Sequence, residues 1–132
     1  MCTTKSTERE PGAAIVEFAI ILPILLLLIL GMVAFSRAFN AQITLTQASR
    51  EGVRVLAITP GNQAAKEAEA IAATQGVAET TLDITQLTIT TTACDPGDPT
   101  RLTATYPFTL DIPLWGIATI DLSATGVMRC GG

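Results

Sequence analysis

The feature that most constrains this sequence is an apolar run from Ala13 to Phe35 that contains a single charged residue, Glu17. At 1.5 Å per residue the run makes a helix of roughly 34 Å, enough to cross a hydrocarbon core of about 30 Å. Its centre, Ile20 to Leu30, is apolar on every side, whereas a helix of a soluble core shows a polar stripe. Pro23 removes one backbone hydrogen bond and is expected to kink the helix, a defect that membrane helices tolerate. A transmembrane helix is therefore expected over residues 13–36. The competing reading is a cleavable secretory signal peptide with a small-residue site at Ser36-Arg37-Ala38. Its apolar region usually spans about 7–15 residues, shorter than the run here.

The helical period continues past the membrane. Ala41, Leu45, Ala48, Gly52 and Val55 recur three or four apart, with Gln42, Gln47, Arg50, Glu51 and Arg54 on the other faces. One continuous helix that becomes amphipathic over residues 37–59 is expected, ending where Thr59-Pro60-Gly61 breaks the next turn. A second helix follows from Gln63 to Thr74, started by Asn62 or a neighbour and closed by Gly76. The last third then changes period. Leu87 and Ile89, then Leu102, Ala104, Tyr106, Phe108 and Leu110, then Ile120, Leu122, Ala124 and Met128 alternate mostly with Thr, Ser and Asp. Alternation at period two marks strands with one buried face. Asp95-Pro-Gly-Asp-Pro99 separates them as a turn, and Pro107 is expected at a sheet edge or a bulge. The fold class is α+β: a long N-terminal transmembrane helix with an amphipathic continuation, a short helix and a small antiparallel sheet. Residues 1–12 form a polar leader and residues 60–132 the domain on the far side of the membrane.

Composition excludes several functions. A net charge of −4 with no Lys/Arg cluster leaves nothing to displace phosphate counterions, so no nucleic-acid partner is expected. Histidine is absent, which removes the commonest general base and metal ligand. There is no G-x-S-x-G elbow, no Gly-rich phosphate loop and no carboxylate pair at a meaningful spacing, so neither catalysis nor a cofactor is expected. Of the three cysteines, Cys2, Cys94 and Cys130, none forms a C-x-x-C pair, and no metal site is expected. Cys94 and Cys130 fall in one domain and could pair in an oxidising compartment; two unrelated thiols are the alternative. Lys5 and Arg9 before the span and Arg37 after it give a weak vote on orientation. The cysteines decide it, placing Cys94 and Cys130 outside and Met1 in the cytoplasm. Trp115 and Tyr106 read as core or interfacial packing.

Chemistry concentrates in Gly12-Ala-Ala-Ile-Val-Glu17-Phe18. An ionised carboxylate in lipid costs a few kcal/mol, so an intramembrane acid is a functional candidate by default. An interfacial acid near the headgroups is the plain alternative. Gly12, next to Pro11, is expected to keep the backbone extended and open to a protease. Cleavage between Gly12 and Ala13 would create an amine one helical turn from Glu17, free to pair with the Glu17 of a neighbouring subunit.

This stretch resembles the prepilin processing pattern of tight-adherence (Flp/Tad) pili: a glycine, four residues, then Glu-Phe or Glu-Tyr. The longer run Gly12-Ala-Ala-Ile-Val-Glu-Phe-Ala-Ile-Ile-Leu-Pro23, with Gly31, Phe35, Arg37, Ala38, Leu45, Ala48, Ser49-Arg50-Glu51-Gly52 and Arg54, is similar to TadE-like pseudopilins over residues 12–57. The resemblance implies a minor pilus component of the bacterial inner membrane, cleaved after Gly12 by a membrane-embedded aspartic prepilin peptidase. It further implies other pilins or pseudopilins and an ATPase-driven assembly platform as partners. Glu17 and Phe18 become assembly residues, and Arg50-Glu51-Gly52 part of a helix face that docks the globular domain or a neighbour. Pro23, Gly31 and Gly52 are candidate helix-packing positions. A single-pass envelope adhesin or accessory subunit that keeps its leader is the rival function.

Overall fold

The structure, a computed structural model, describes residues 11–112 and 116–131. The leader up to residue 10, Cys2 and Trp115 lie outside the described residues. A helix α1 runs unbroken over Pro11–Ile58, and α2 over Gln63–Ala78. A 3-10 turn, Ile84–Gln86, leads to three strands, β1 Thr88–Thr91, β2 Pro99–Ile112 and β3 Gly116–Arg129. They form one antiparallel sheet in the order β1-β2-β3. Pro23 lies inside α1 without ending it.

Two expectations about helix ends are corrected. Pro11 and Gly12 are helical rather than extended, since proline's fixed φ and missing N–H suit the first turn of a helix. Gly76 does not close the second helix, which continues to Ala78; Gly76 has no positive φ and open space where a side chain would sit. Asn62 is the N-cap, its side chain accepting from Ala65 N at 2.9 Å.

The N-terminal apolar part of α1 and its continuation have opposite characters. Residues 12–40 are exposed apart from the half-buried Ala34 and Ala38, and from Ala41 onward one broad face is buried. Of the anticipated stripe, Ala41, Leu45, Ala48 and Gly52 are buried and Val55 is only half-buried, while Val53, Leu56 and Ala57 widen the buried face. The width follows from double use: α1 packs against α2 on one side and against β2 and β3 on another. One core cluster joins Ala41, Leu45 and Ala48 to Ala78, Leu82, Ala104 and Ala124. A second joins Val53 and Leu56 to Ala70, Leu102, Cys94 and Cys130.

The sheet register explains Pro107. β2 is the central strand, yet β1 pairs with it only from Leu102 to Thr105. The Arg101 carbonyl accepts from Thr92 N at 2.9 Å, so the odd residues of β2 present their backbone groups to the β1 side. At Pro107 the strand β1 has already ended, and the missing N–H falls where β2 has no partner. On the other side β2 and β3 pair continuously from Pro99↔Arg129 to Ile112↔Gly116. Beyond Thr105 they are therefore a two-stranded ribbon. Met128, expected on the buried face, is exposed at the sheet end.

Candidate functional site

The residues singled out by sequence sort into two places on α1. Gly12, Ala13, Glu17 and Phe18 sit on the exposed first turns, with Phe18 64% exposed. Spacing of four puts Ala13 and Glu17 on one helix face. The Gly12–Ala13 bond lies in the first turn, where backbone N–H groups have no intrahelical partner. Such a turn opens at little cost, so helical geometry there is compatible with attack by a protease. Gly31 has nothing near its Cα that an added methyl would meet. Among the described residues, the stem from Gly12 to Met32 thus has no intramolecular cover, and one 18-residue window within α1 has a mean hydropathy of 3.0. By length and composition α1 is able to cross a membrane.

The second place is the junction of α1, α2 and the sheet. At Gly52 a Cβ would overlap Thr74 Oγ1, approach Leu102 Cδ1 at 2.8 Å and the Ala70 carbonyl oxygen at 3.2 Å. Thr74 is held there by its own bond to the Ala70 carbonyl, 2.7 Å. Arg50 and Glu51, the two residues before Gly52, face elsewhere, because adjacent helical positions do not share a face. Glu51 accepts from Arg54 Nη2 at 2.9 Å and from Nε at 3.1 Å. This hydrogen bond, aided by the charge, holds the Glu51 carboxyl below its ordinary pKa and raises Arg54. The pair is exposed and contributes little to stability. With Gln47, Arg50, Val127 and Met128 it lines an open groove of about 520 Å³ between α1 and β3.

Sequence reasoning missed Gly126. It occupies the apolar slot between Ala124 and Met128, and a Cβ there would overlap the Ser49 carbonyl oxygen and meet Val53 Cγ1 at 2.7 Å. The signal was present, since glycine inside a strand pattern marks close approach of another backbone. The far end of the sheet is tied down by a disulfide between Cys94 and Cys130, with their Cα atoms 5.5 Å apart. Asp95-Pro-Gly-Asp98 between them is a type II turn: Gly97 has φ +90° and Asp98 N donates to the Asp95 carbonyl at 3.1 Å. Cys94 N donates to Gln63 Oε1 at 3.0 Å, which joins this corner to the start of α2.

A stem of this kind, exposed and apolar below and docked on a sheet above, is what the comparison with protein families picks out. Residues 12–54 match the family model of TadE-like proteins. The matched segment begins at Gly12 and ends two residues past Gly52, so it includes the first place and only the α1 side of the second. The match covers 43 of the 132 residues. No curated protein and no solved structure matches the chain. The TadE-like segment stops within α1, and α2 and the sheet lie beyond it. Among the described residues no group of three or more His, Cys, Asp or Glu is placed to hold a metal ion.

Proposed function

We propose that this chain is a minor pilin or pseudopilin that acts in assembly of a tight-adherence, type IV-like pilus, by structure and interaction rather than catalysis. The observation that carries the reading is the TadE-like match over residues 12–54. It opens on the glycine of the processing pattern and runs through Glu17-Phe18 into an uncovered apolar helix. On this reading a membrane-embedded prepilin peptidase cleaves after Gly12, with residues 1–12 the leader and 13–36 the span. The extension 37–59 and the domain 60–132 face the envelope side, where an oxidising compartment suits the Cys94–Cys130 disulfide. The exposed stem is the surface that other pilins or pseudopilins and the assembly platform engage, and Glu17 with Phe18, Pro23 and Gly31 are its contact positions.

Intact-mass and N-terminal analysis of the protein from its native membrane, under non-reducing conditions, tests this. A chain that starts at Ala13 and carries the Cys94–Cys130 bond is expected. A chain that keeps Met1 would leave a single-pass accessory protein or adhesin. A start near Phe39 would make the apolar run a signal peptide and remove the role of Glu17.

A further inference from the structure

We propose that the free edge of β3, from Ser123 to Arg129, is a strand-addition site that takes an extended acidic segment of a different protein chain. In an antiparallel sheet the residues of one strand turn their N–H and C=O groups alternately to one neighbour and to the other. The odd residues of β2 serve β1, so its even residues serve β3, and the register joins Leu102 to Gly126 and Ala104 to Ala124. The odd residues of β3, from Ser123 to Arg129, therefore point their backbone groups away from the sheet. Ser123 shows this directly, because its carbonyl accepts from Gln42 Nε2 of α1 at 2.9 Å. A side-chain amide here makes the bond that the backbone of a further strand would make. Among the described residues, Thr125 and Val127 have no backbone partner on that side.

The edges of this sheet are not equal. β1 offers four residues, and the stretch of β2 left free beyond β1 includes Pro107, which has no N–H. Short strands and prolines are how exposed edges are kept from pairing. β3 runs 14 residues with no proline. Its edge lies along the groove of about 520 Å³ between α1 and β3, and from Ser123 to Val127 it is about 14 Å long. An added strand would take its main-chain bonds from this edge and its specificity from the groove wall.

The wall selects for charge. α1 supplies Gln47, Arg50 and Arg54 to it, and Arg54 is engaged by Glu51 at 2.9 Å. Among the described residues Arg50 is exposed and makes no ion pair, and Arg129 is exposed at the end of the same edge. A chain of net charge −4 thus turns an excess of positive charge to this edge. It complements carboxylates on the face of an added strand that meets α1. Val127 and Met128, 53% and 38% exposed, give that strand an apolar footing on each face. A second copy of this chain suits the edge less well. Gly126 lies against the Ser49 carbonyl while Ser123 meets Gln42, so β3 and α1 run in the same direction. Two β3 edges joined antiparallel would point their α1 helices in opposite directions, which copies anchored in one membrane do not do. The parallel arrangement pairs less stably. This exclusion rests on the reading of α1 as a span; the strand site itself does not.

The test uses the full chain with its disulfide intact, in a neutral detergent, and follows amide exchange by NMR. The probe is a capped peptide that alternates glutamate with valine, added to millimolar concentration. The Thr125 and Val127 amides are expected to exchange fast without peptide and to slow with it. Ala124 and Gly126, already bonded to β2, should hold constant. Arg50→Glu should weaken binding by about tenfold, since an attraction is replaced by a repulsion of similar size. Added salt should weaken binding to the parent chain. Val127→Pro removes an N–H that β2 does not use and should abolish binding, with slow exchange across β2 showing that the variant folds. No slowing at Thr125 and Val127 overturns the inference. So does equal binding of a peptide with lysine for glutamate, or binding that survives N-methylation of the peptide amides. Protection without peptide that grows with protein concentration assigns the edge to a second copy and also overturns it. Alkaline carbonate extraction of native membranes reads the anchor separately, so either reading can fail while the other stands.

Discussion

Gly52→Ala separates two effects of opposite sign. In a helix interior alanine is favoured over glycine by about 1 kcal/mol. Against this stands the contact the methyl would make: overlap with Thr74 Oγ1, and approaches of 2.8 Å to Leu102 Cδ1 and 3.2 Å to the Ala70 carbonyl. Leu102 can turn its terminal methyl. Thr74 is fully buried and bonded to Ala70 at 2.7 Å, so moving it forfeits a bond worth about 1 kcal/mol. The Ala70 carbonyl is backbone and moves only with α2. Overpacking of this kind costs about 1–3 kcal/mol; with the lost bond added and the propensity gain subtracted, the net is a destabilisation of about 1–3 kcal/mol. Gly76→Ala is the matched control: same substitution, helix interior, and nothing within reach of the new methyl. It should stabilise by roughly 0.5–1 kcal/mol. Urea titration with pulse proteolysis, on the full chain in mild detergent, reads both. Thr74→Ala in the Gly52→Ala background should recover part of the loss, with a coupling energy of about 1 kcal/mol. If Gly52→Ala proves neutral or behaves like Gly76→Ala, the α1–α2 approach at this point is not rigid and the reasoning fails.

Other consequences are open to the same kind of measurement. Replacing both Cys94 and Cys130 by serine releases a loop of 36 residues, and a loss of about 3–4 kcal/mol is expected from the chain-entropy relation; a midpoint that does not move would deny the disulfide that role. Asn62→Ala removes the acceptor for Ala65 N and should cost about 1 kcal/mol, read as a lower urea midpoint at an unchanged slope. Asp83 accepts from Thr85 Oγ1 at 2.7 Å and from Thr85 N at 3.0 Å, and these bonds hold its carboxyl below the ordinary value of 3.8. The folded chain then binds fewer protons than the unfolded one, so this support is complete above pH 3.8 and is lost as pH falls through the lowered value. A carboxyl NMR titration should place the Asp83 midpoint below 3.8 and return it upward in Thr85→Val.

Much of the architecture was legible because periodicity reports which faces are buried. The uninterrupted apolar run, the three-and-four spacing after Arg37 and the alternation from Leu87 onward correspond to α1 and the strands. What escaped depends on who sits opposite. Gly76 has the position of a helix stop in the sequence, but glycine caps a helix end in this way where the chain adopts positive φ, and here it does not. Met128 fits the alternation, but the sheet ends there and exposes it. Gly126 carries no apolar weight, so a hydrophobic pattern passes over it although it sets how near β3 lies to α1. The site divides the same way. Gly12 to Phe18 is a local motif and stands out in the chain itself. Among the described residues the Glu17 carboxylate makes no hydrogen bond or ion pair, and no single sequence names a partner for it.

That absence gives Glu17 a sharp test. The helix end at Ala13 places its carboxyl about 6 Å along the axis from the proposed new amine, in a region where an ionised acid costs up to about 2.5–3.5 kcal/mol if it sinks to mid-bilayer. Glu17→Gln keeps the shape and removes that cost, so insertion and cellular level should hold or rise. A charge-assisted bond to a neighbour's amine contributes about 1.5–3 kcal/mol, so its loss should weaken each subunit contact by about tenfold to a hundredfold. The variant should therefore be cleaved after Gly12, remain in the membrane, and fail to enter or prime fibres. Glu17→Asp keeps the charge on a shorter arm and should fall between the two. If Glu17→Gln is cleaved and supports assembly like the parent, Glu17 is an ordinary interfacial acid and the pairing idea is wrong. If it accumulates uncleaved, the carboxylate serves recognition by the peptidase instead, and the assembly contact must be sought among Phe18 and the uncovered residues above it.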